Sequence, residues 1–167
     1  MTQVFHQCFA GYPAWVTVVQ PYPGDRLGLP EAGRGSIGTF PRRLAGVVID
    51  WVLCLLIANA ALGLGFGEAS GAASFAPLAV FAVENLLLVS TLGTTIGHRI
   101  VGLQVLRVYA EPVRAPDGPT LVAGVPGFAR GGIRTVLLCL AIPALIWDAD
   151  GRGMHDRWAR TVIVRSR

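Results

Sequence analysis

From Leu44 to His98 the chain carries no Lys or Arg, while Arg42 and Arg43 stand at one end of that interval and Arg99 at the other. The acidic residues inside it are Asp50, Glu68 and Glu84. Leu44 to Gly63 and Ser74 to Gly93 are each apolar and each long enough to cross a bilayer, because about 20 residues at ~1.5 Å rise cover ~30 Å of hydrocarbon. The interval therefore predicts a membrane hairpin with one carboxyl inside each limb. An ionisable group in hydrocarbon costs at least ~2.5 kcal/mol on insertion scales, which makes Asp50 and Glu84 the first candidates for function.

Composition points the same way. With 53% hydrophobic and only 14% charged residues in a chain of 167, the sequence is too apolar for an ordinary soluble domain and too short for more than one. The net charge of +4 comes from Arg alone, since Lys is absent, and the Arg residues fall at 26 to 43, 99 to 134 and 152 to 167. Such flanking charge marks cytoplasmic segments of a multi-pass protein of the cell membrane, with the N-terminus inside. No basic-aromatic interleaving supports nucleic acid as a partner. Met1 to Gln20 lacks a basic n-region and is interrupted by Gly11 and Pro13, so the first apolar span is expected to act as an uncleaved anchor.

The Pro/Gly-rich residues 1 to 40 read as an extended, disordered cytoplasmic arm, and 41 to 167 as the membrane domain. Pro41 opens the first helix in a turn where its missing N–H is harmless, with Thr39 as a cap. Gly63 to Ala73, which carries Glu68 and no basic residue, reads as the extracytoplasmic turn. Two β-branched runs, 103 to 109 and 161 to 165, read as strands that pair into a small ribbon. Between them lies an ambiguous apolar element at about 131 to 147. Its uncharged core, Thr135 to Trp147, is short for a span and contains Pro143, so a re-entrant or tilted segment competes with a third full crossing. The expected fold is thus all-α transmembrane: helices at about 41 to 63 and 74 to 93, a third short one at 131 to 147, and a cytoplasmic β-ribbon.

Arg43 and Asp50 share one face of the first helix, and Glu84 and Asn85 fall at nearly the depth of Asp50 on the antiparallel second helix. Two carboxyls at one level would titrate as a coupled pair, useful for moving a proton or holding a cation. The plainer alternative is that each bonds Asn59, Asn85, Ser90, Thr91 or the backbone and locks two helices together. Asp148, Asp150 and Gly151 are faintly like a calcium loop but lack the later ligands. Cys8, Cys54 and Cys139 have no metal-binding spacing, and no nucleophile elbow, phosphate loop or dinucleotide fingerprint is present. The chain is read as no enzyme, with no catalytic residue, metal or cofactor.

Three islands, Arg42 to Trp51, Thr95 to Val105 and Gly151 to Val164, together resemble the RDD family of small bacterial membrane proteins, over roughly residues 40 to 165. The segment Tyr22 to Pro30 is similar to one in actinobacterial members. The family's signature Arg, intrahelical Asp and late Asp correspond to Arg43, Asp50 and Asp156. The resemblance implies transport of ions or other solutes, with cation/proton exchange the most concrete suggestion. Family members often carry a longer apolar region before the His-Asp motif than this chain does. Two function classes follow. In one, Asp50, Glu84 and Asn85 form an intramembrane polar site of a transporter that works as a homo-oligomer, since two or three helices enclose no pathway. In the other, the chain is an accessory of a larger membrane complex. A second site is expected on the cytoplasmic surface from Thr95, Gly97, His98, Arg99, Gly102, His155 and Asp156, with Asp156 paired to Arg43 or Arg99.

Overall fold

The computed structural model describes residues 22–63, 70–109, 122–140 and 151–167. Most of the expected arm, the Glu68 turn, Pro143 and the Trp147 to Asp150 stretch lie outside these. The long helices are α1, Phe40–Leu62, and α2, Ala76–Leu92, the second preceded by a 3-10 turn at Gly71–Phe75. Short α3, Ile96–Ile100, leads into β1, Leu103–Val108. Then come β2, Val122–Ala123, α4, Gly127–Cys139, α5, Met154–Trp158, and β3, Thr161–Arg165. Thr39 occupies the N-cap of α1, but its side chain makes no capping bond.

α1 reverses the amphipathicity of a soluble helix, and α2 buries polar residues among its apolar ones. The buried stripe of α1 is Arg43, Gly46, Asp50, Cys54 and Ala58, at helical spacing. Its outward stripe is Leu44, Val48, Trp51, Val52, Leu56 and Ile57, each 41–53% exposed. In α2 the inward face is mixed, Asn85 and Ser90 with Pro77, Phe81 and Val89, while Val83, Leu87 and Leu92 face out. Small and polar groups inside with large apolar groups outside is what a hydrocarbon solvent selects, because lipid tails are as apolar as Leu and give no reason to hide it. α1, and the 3-10 turn together with α2 over Gly71–Leu92, have the length and hydropathy of a membrane span.

The expected ribbon of two strands is a three-stranded antiparallel sheet in the order β2-β1-β3. In the β1–β3 pair, Leu103 faces Arg165 and Val105 faces Ile163, and β2 adds a short edge at Arg107 and Val108. Leu103, Val105 and Ile163 point to one face and pack on Val89 of α2. Val108, Val162 and Val164 point to the other.

That second face corrects the expectation of a disordered arm through residue 40. From Tyr22 onward the chain is folded on the sheet, with Leu27 and Leu29 buried against Val162 and Val164 and Ile37 bridging to Val164. The backbone follows: Gly35 N–H donates to the Arg165 carbonyl at 2.8 Å, and Gly38 N–H to that of Ile163 at 2.9 Å. The cause is burial. A sheet with both faces apolar needs a cover on each, and the scattered Leu and Ile of a Pro/Gly-rich segment supply it without any helical or strand period. The third apolar element also begins earlier than expected, at Gly127.

Candidate functional site

Where α1 and α2 reach the sheet, the inward polar residues of four helices converge. Asp50 is 1% exposed, and both its oxygens are engaged by the segment just past α2. Thr95 Oγ1 donates to Oδ2 at 2.5 Å, and the Gly97 backbone N–H donates to Oδ1 at 2.5 Å. The approach depends on two glycines. A Cβ on Gly97 would collide with the Gly46 carbonyl oxygen and lie 2.8 Å from Asp50 Oδ1.

Thr95 is also the N-cap of α3, accepting from the His98 backbone N–H at 3.2 Å. Its hydroxyl has one proton, and with that proton given to Asp50, the 2.6 Å approach of His98 Nδ1 makes Nδ1 the donor. His98 is then a neutral imidazole. Burial pushes its pKa down from 6.5 to about 3, helped first by the charge of Arg134 and then by Arg43 and His155, against Asp156.

Farther up the hairpin, Glu84 stands beside Asp50, and Cys54 Sγ donates to its Oε2 at 3.1 Å. Glu84 Oε1 is buried with no hydrogen-bond partner among the described residues. Asn85 is back-bonded within α2, its Nδ2 donating to the Phe81 carbonyl at 3.2 Å. Trp51 and Phe81 pack edge to face, centroids 5.7 Å apart, and close the helix pair on one side.

Asp156, fully buried on α5, is the centre of a second cluster. Arg134 Nε donates to Oδ1 at 2.9 Å, and Thr161 Oγ1 donates to the same oxygen at 3.0 Å. Oδ2 faces His155 Nε2 at 3.4 Å and Arg43 Nη1 at 3.8 Å. Burial alone would raise the carboxyl's pKa, but His155, Arg134 and Arg43 hold it well below the usual range. Arg43 continues to β3, donating from Nη2 to the Ile163 carbonyl at 3.4 Å, and from Nε to the Gly38 carbonyl at 2.8 Å.

The structure thus joins Thr95, Gly97 and His98 to Asp50, and sets His155 and Asp156 beside Arg43. The expected surface site is an interior one. Arg99 is exposed and away from Asp156, and Gly102 lies at the chain end, its carbonyl accepting from Ser166 N–H at 2.9 Å. Arg134 was missed: read as a flanking charge, it is a buried member of the inward face of α4 with Gly131 and Thr135. The signal was present in its spacing, three residues after Gly131 on one helix face.

The His98 environment sets a pH dependence. A chain that takes a proton when unfolded but not when folded loses stability as pH falls from about 6.5 toward 3, by about 1.4 kcal/mol per pH unit for one proton. For Asp156 the sign is that of a depressed carboxyl: its contribution is present above ~4 and is lost below it. Detergent-solubilised protein melted between pH 7 and 5 is expected to show the slope, and His98→Gln to flatten it; parallel curves for the two would disprove the assignment.

Among known families, the model described as RDD family matches residues 37–160. No curated protein and no solved structure shows significant similarity to the chain.

Proposed function

Because the chain belongs to the RDD family, we propose that it is a multi-pass protein of the cell membrane that exchanges protons for a cation or small solute. In this reading it acts as an oligomer, with its N-terminal segment, sheet and Arg-rich ends on the cytoplasmic side. The observation that carries it is the pair Asp50 and Glu84, two adjacent carboxyls inside membrane-length helices, one of them with a buried oxygen that no described residue satisfies. Two carboxylate charges side by side in hydrocarbon repel one another, so a proton held there can be exchanged for an entering cation. Oligomerisation supplies the rest of the pathway, and the apolar outer faces of α1 and α2 suit lipid on one side and neighbouring copies on another.

A second reading keeps the chain as a non-catalytic accessory of a larger membrane complex. It is favoured by the way both Asp50 oxygens are spent on holding α3 in place.

The test is flux in vesicles reconstituted with the full chain. Glu84→Gln is the better probe, because its amide oxygen still accepts from Cys54, whereas Asp50→Asn puts an amide donor against the Thr95 and Gly97 donors. Under the exchange reading, Glu84→Gln abolishes proton movement driven by Na⁺ or K⁺ gradients without changing the melting temperature. Wild-type vesicles silent to every monovalent cation, together with copurification of a larger complex, would establish the accessory reading instead.

A further inference from the structure

Arg130 reaches from the first turn of α4 across to the sheet. Its Nη1 donates to the Val108 carbonyl at 3.0 Å and to the Arg160 carbonyl at 3.4 Å, and Val108 N–H donates to that same Arg160 oxygen at 2.9 Å. Arg107, next to Val108 on β1, pairs across the sheet with Thr161, the residue after Arg160. Three arginines from separate parts of the chain are thereby gathered at one corner, and the charges of Arg107 and Arg160 both oppose that of Arg130. Like charges so gathered raise the local potential for an anion.

Arg160 adds an independent sign. Its φ is +51°, and among the described residues it is the one non-glycine residue with a positive φ. A left-handed backbone is natural for Gly and strained for a long side chain. Gly would serve the turn better; what Arg supplies there is the third charge.

The corner lies at the edge of the membrane. α4 runs antiparallel to α2, with Gly131 on Ser90, Gly132 toward Leu86, and Cys139 lining a groove with Ala79. Arg130 is therefore level with the last turn of α2, where the apolar span ends. Tyr109 and Trp158, 54% and 66% exposed, stand two residues from Arg107 and Arg160, and these two side chains favour the membrane–water boundary. Following Arg130 at helical spacing, Ile133, Val136 and Leu140 present an exposed apolar line down α4.

We propose that Arg107, Arg130 and Arg160 form a binding site for the phosphate of an anionic phospholipid, whose acyl chains lie along Ile133, Val136 and Leu140. This rests on α1 and α2 lying in a bilayer, and is independent of proton exchange. A phosphodiester suits the cluster because its oxygens accept charge-assisted bonds from guanidinium groups. The apolar line directly below selects a lipid over a free phosphate, which makes no use of it. Basic pockets beside membrane helices on the cytoplasmic side bind such headgroups.

The test is a titration of the full chain in mild detergent with phosphatidylglycerol, with phosphatidylcholine as the neutral comparison and native mass spectrometry reading the affinity of each adduct. Phosphatidylglycerol is expected to bind saturably, and phosphatidylcholine about tenfold or more weakly. Arg130→Gln and Arg160→Gln are each expected to weaken phosphatidylglycerol binding about fivefold, the usual worth of one basic residue at an anionic surface. Arg99→Gln, the same charge change at an exposed arginine of α3, is expected to leave it unaltered. Arg160→Gln carries the test if Arg130→Gln does not fold, because Arg160 is exposed and it is its backbone carbonyl that holds Arg130. Equal affinity for the two lipids, a loss in Arg99→Gln as large as in Arg160→Gln, or wild-type affinity in Arg160→Gln, as when acids of the chain neutralise the cluster, would overturn the site. Displacement of phosphatidylglycerol by equimolar glycerol 3-phosphate would overturn it in favour of a soluble phosphate. Flotation with lipid vesicles keeps two failures apart: a chain that does not float loses its membrane placement together with the site, whereas one that floats and shows no preference for the anionic lipid loses the site alone.

Discussion

Asp156→Ala is expected to destabilise the protein by about 3–5 kcal/mol, the range for removing one partner of a buried ion pair and leaving the other without compensation. Here the removed carboxylate faces two guanidinium groups, Arg134 at 1% and Arg43 at 5% exposure. The loss also strips an acceptor from Thr161 at the start of β3 and from α4, so the junction of sheet and helices should open first. Arg134→Met alone should cost less than Asp156→Ala, because Asp156 keeps Arg43, His155 and Thr161. The double variant Asp156→Ala with Arg134→Met is expected to recover part of the loss, since it removes the stranded charge together with its partner. Thermal or denaturant unfolding of the four proteins in detergent gives the coupling energy; additive effects would show that Asp156 and Arg134 do not act as a pair.

How much of this was legible beforehand differs by level. The two long helices and the β1–β3 pairing follow from local chemistry, that is, from uninterrupted apolar runs without basic residues and from β-branched segments of the right length. The cover formed by Leu27, Leu29 and Ile37 was not legible, because those residues sit among Pro and Gly with no period, and their burial is decided by a sheet face made from residues more than 60 positions later. β2 escaped for a simpler reason: at two residues, Val122–Ala123 is too short to have a pattern. For the site, sequence spacing placed Asp50 and Glu84 on facing helices and singled out Thr95, Gly97 and His98. It did not reveal that the first belongs with the last three. That link depends on the 2.5 Å bonds made when the chain turns back after Gly93, whose φ of +68° and close approach to the Val105 carbonyl fix the turn. Arg134 was hidden by a reasonable habit, that an Arg next to an apolar run marks its end.

The same turn makes Gly97→Ala the second substitution with a large expected effect. Its Cβ would press on the Gly46 carbonyl oxygen and on the Asp50 carboxyl, where neither the backbone of α1 nor a doubly bonded carboxylate has a free direction to yield. Overpacking usually costs about 1–3 kcal/mol, and a clash with backbone belongs at or above the top of that range. The contact also carries the Gly97 N–H bond to Asp50, so relief by displacing α3 would lengthen that bond and the Thr95 bond together. Gly132→Ala is the control with the opposite sign. It lies within α4, its Cβ would meet only Leu86 Cδ1 at 3.8 Å, and replacing a mid-helix glycine should stabilise by roughly 0.5–1 kcal/mol. Gly131→Ala falls between, because the atom in its way is the Ser90 hydroxyl, the end of a side chain that can rotate. Melting temperatures in the order Gly132→Ala, wild type, Gly131→Ala, Gly97→Ala, from highest to lowest, would fit this packing; a Gly97→Ala protein as stable as wild type would mean that α3 does not seat against Gly46 and that Asp50 is not held by the Gly97 amide.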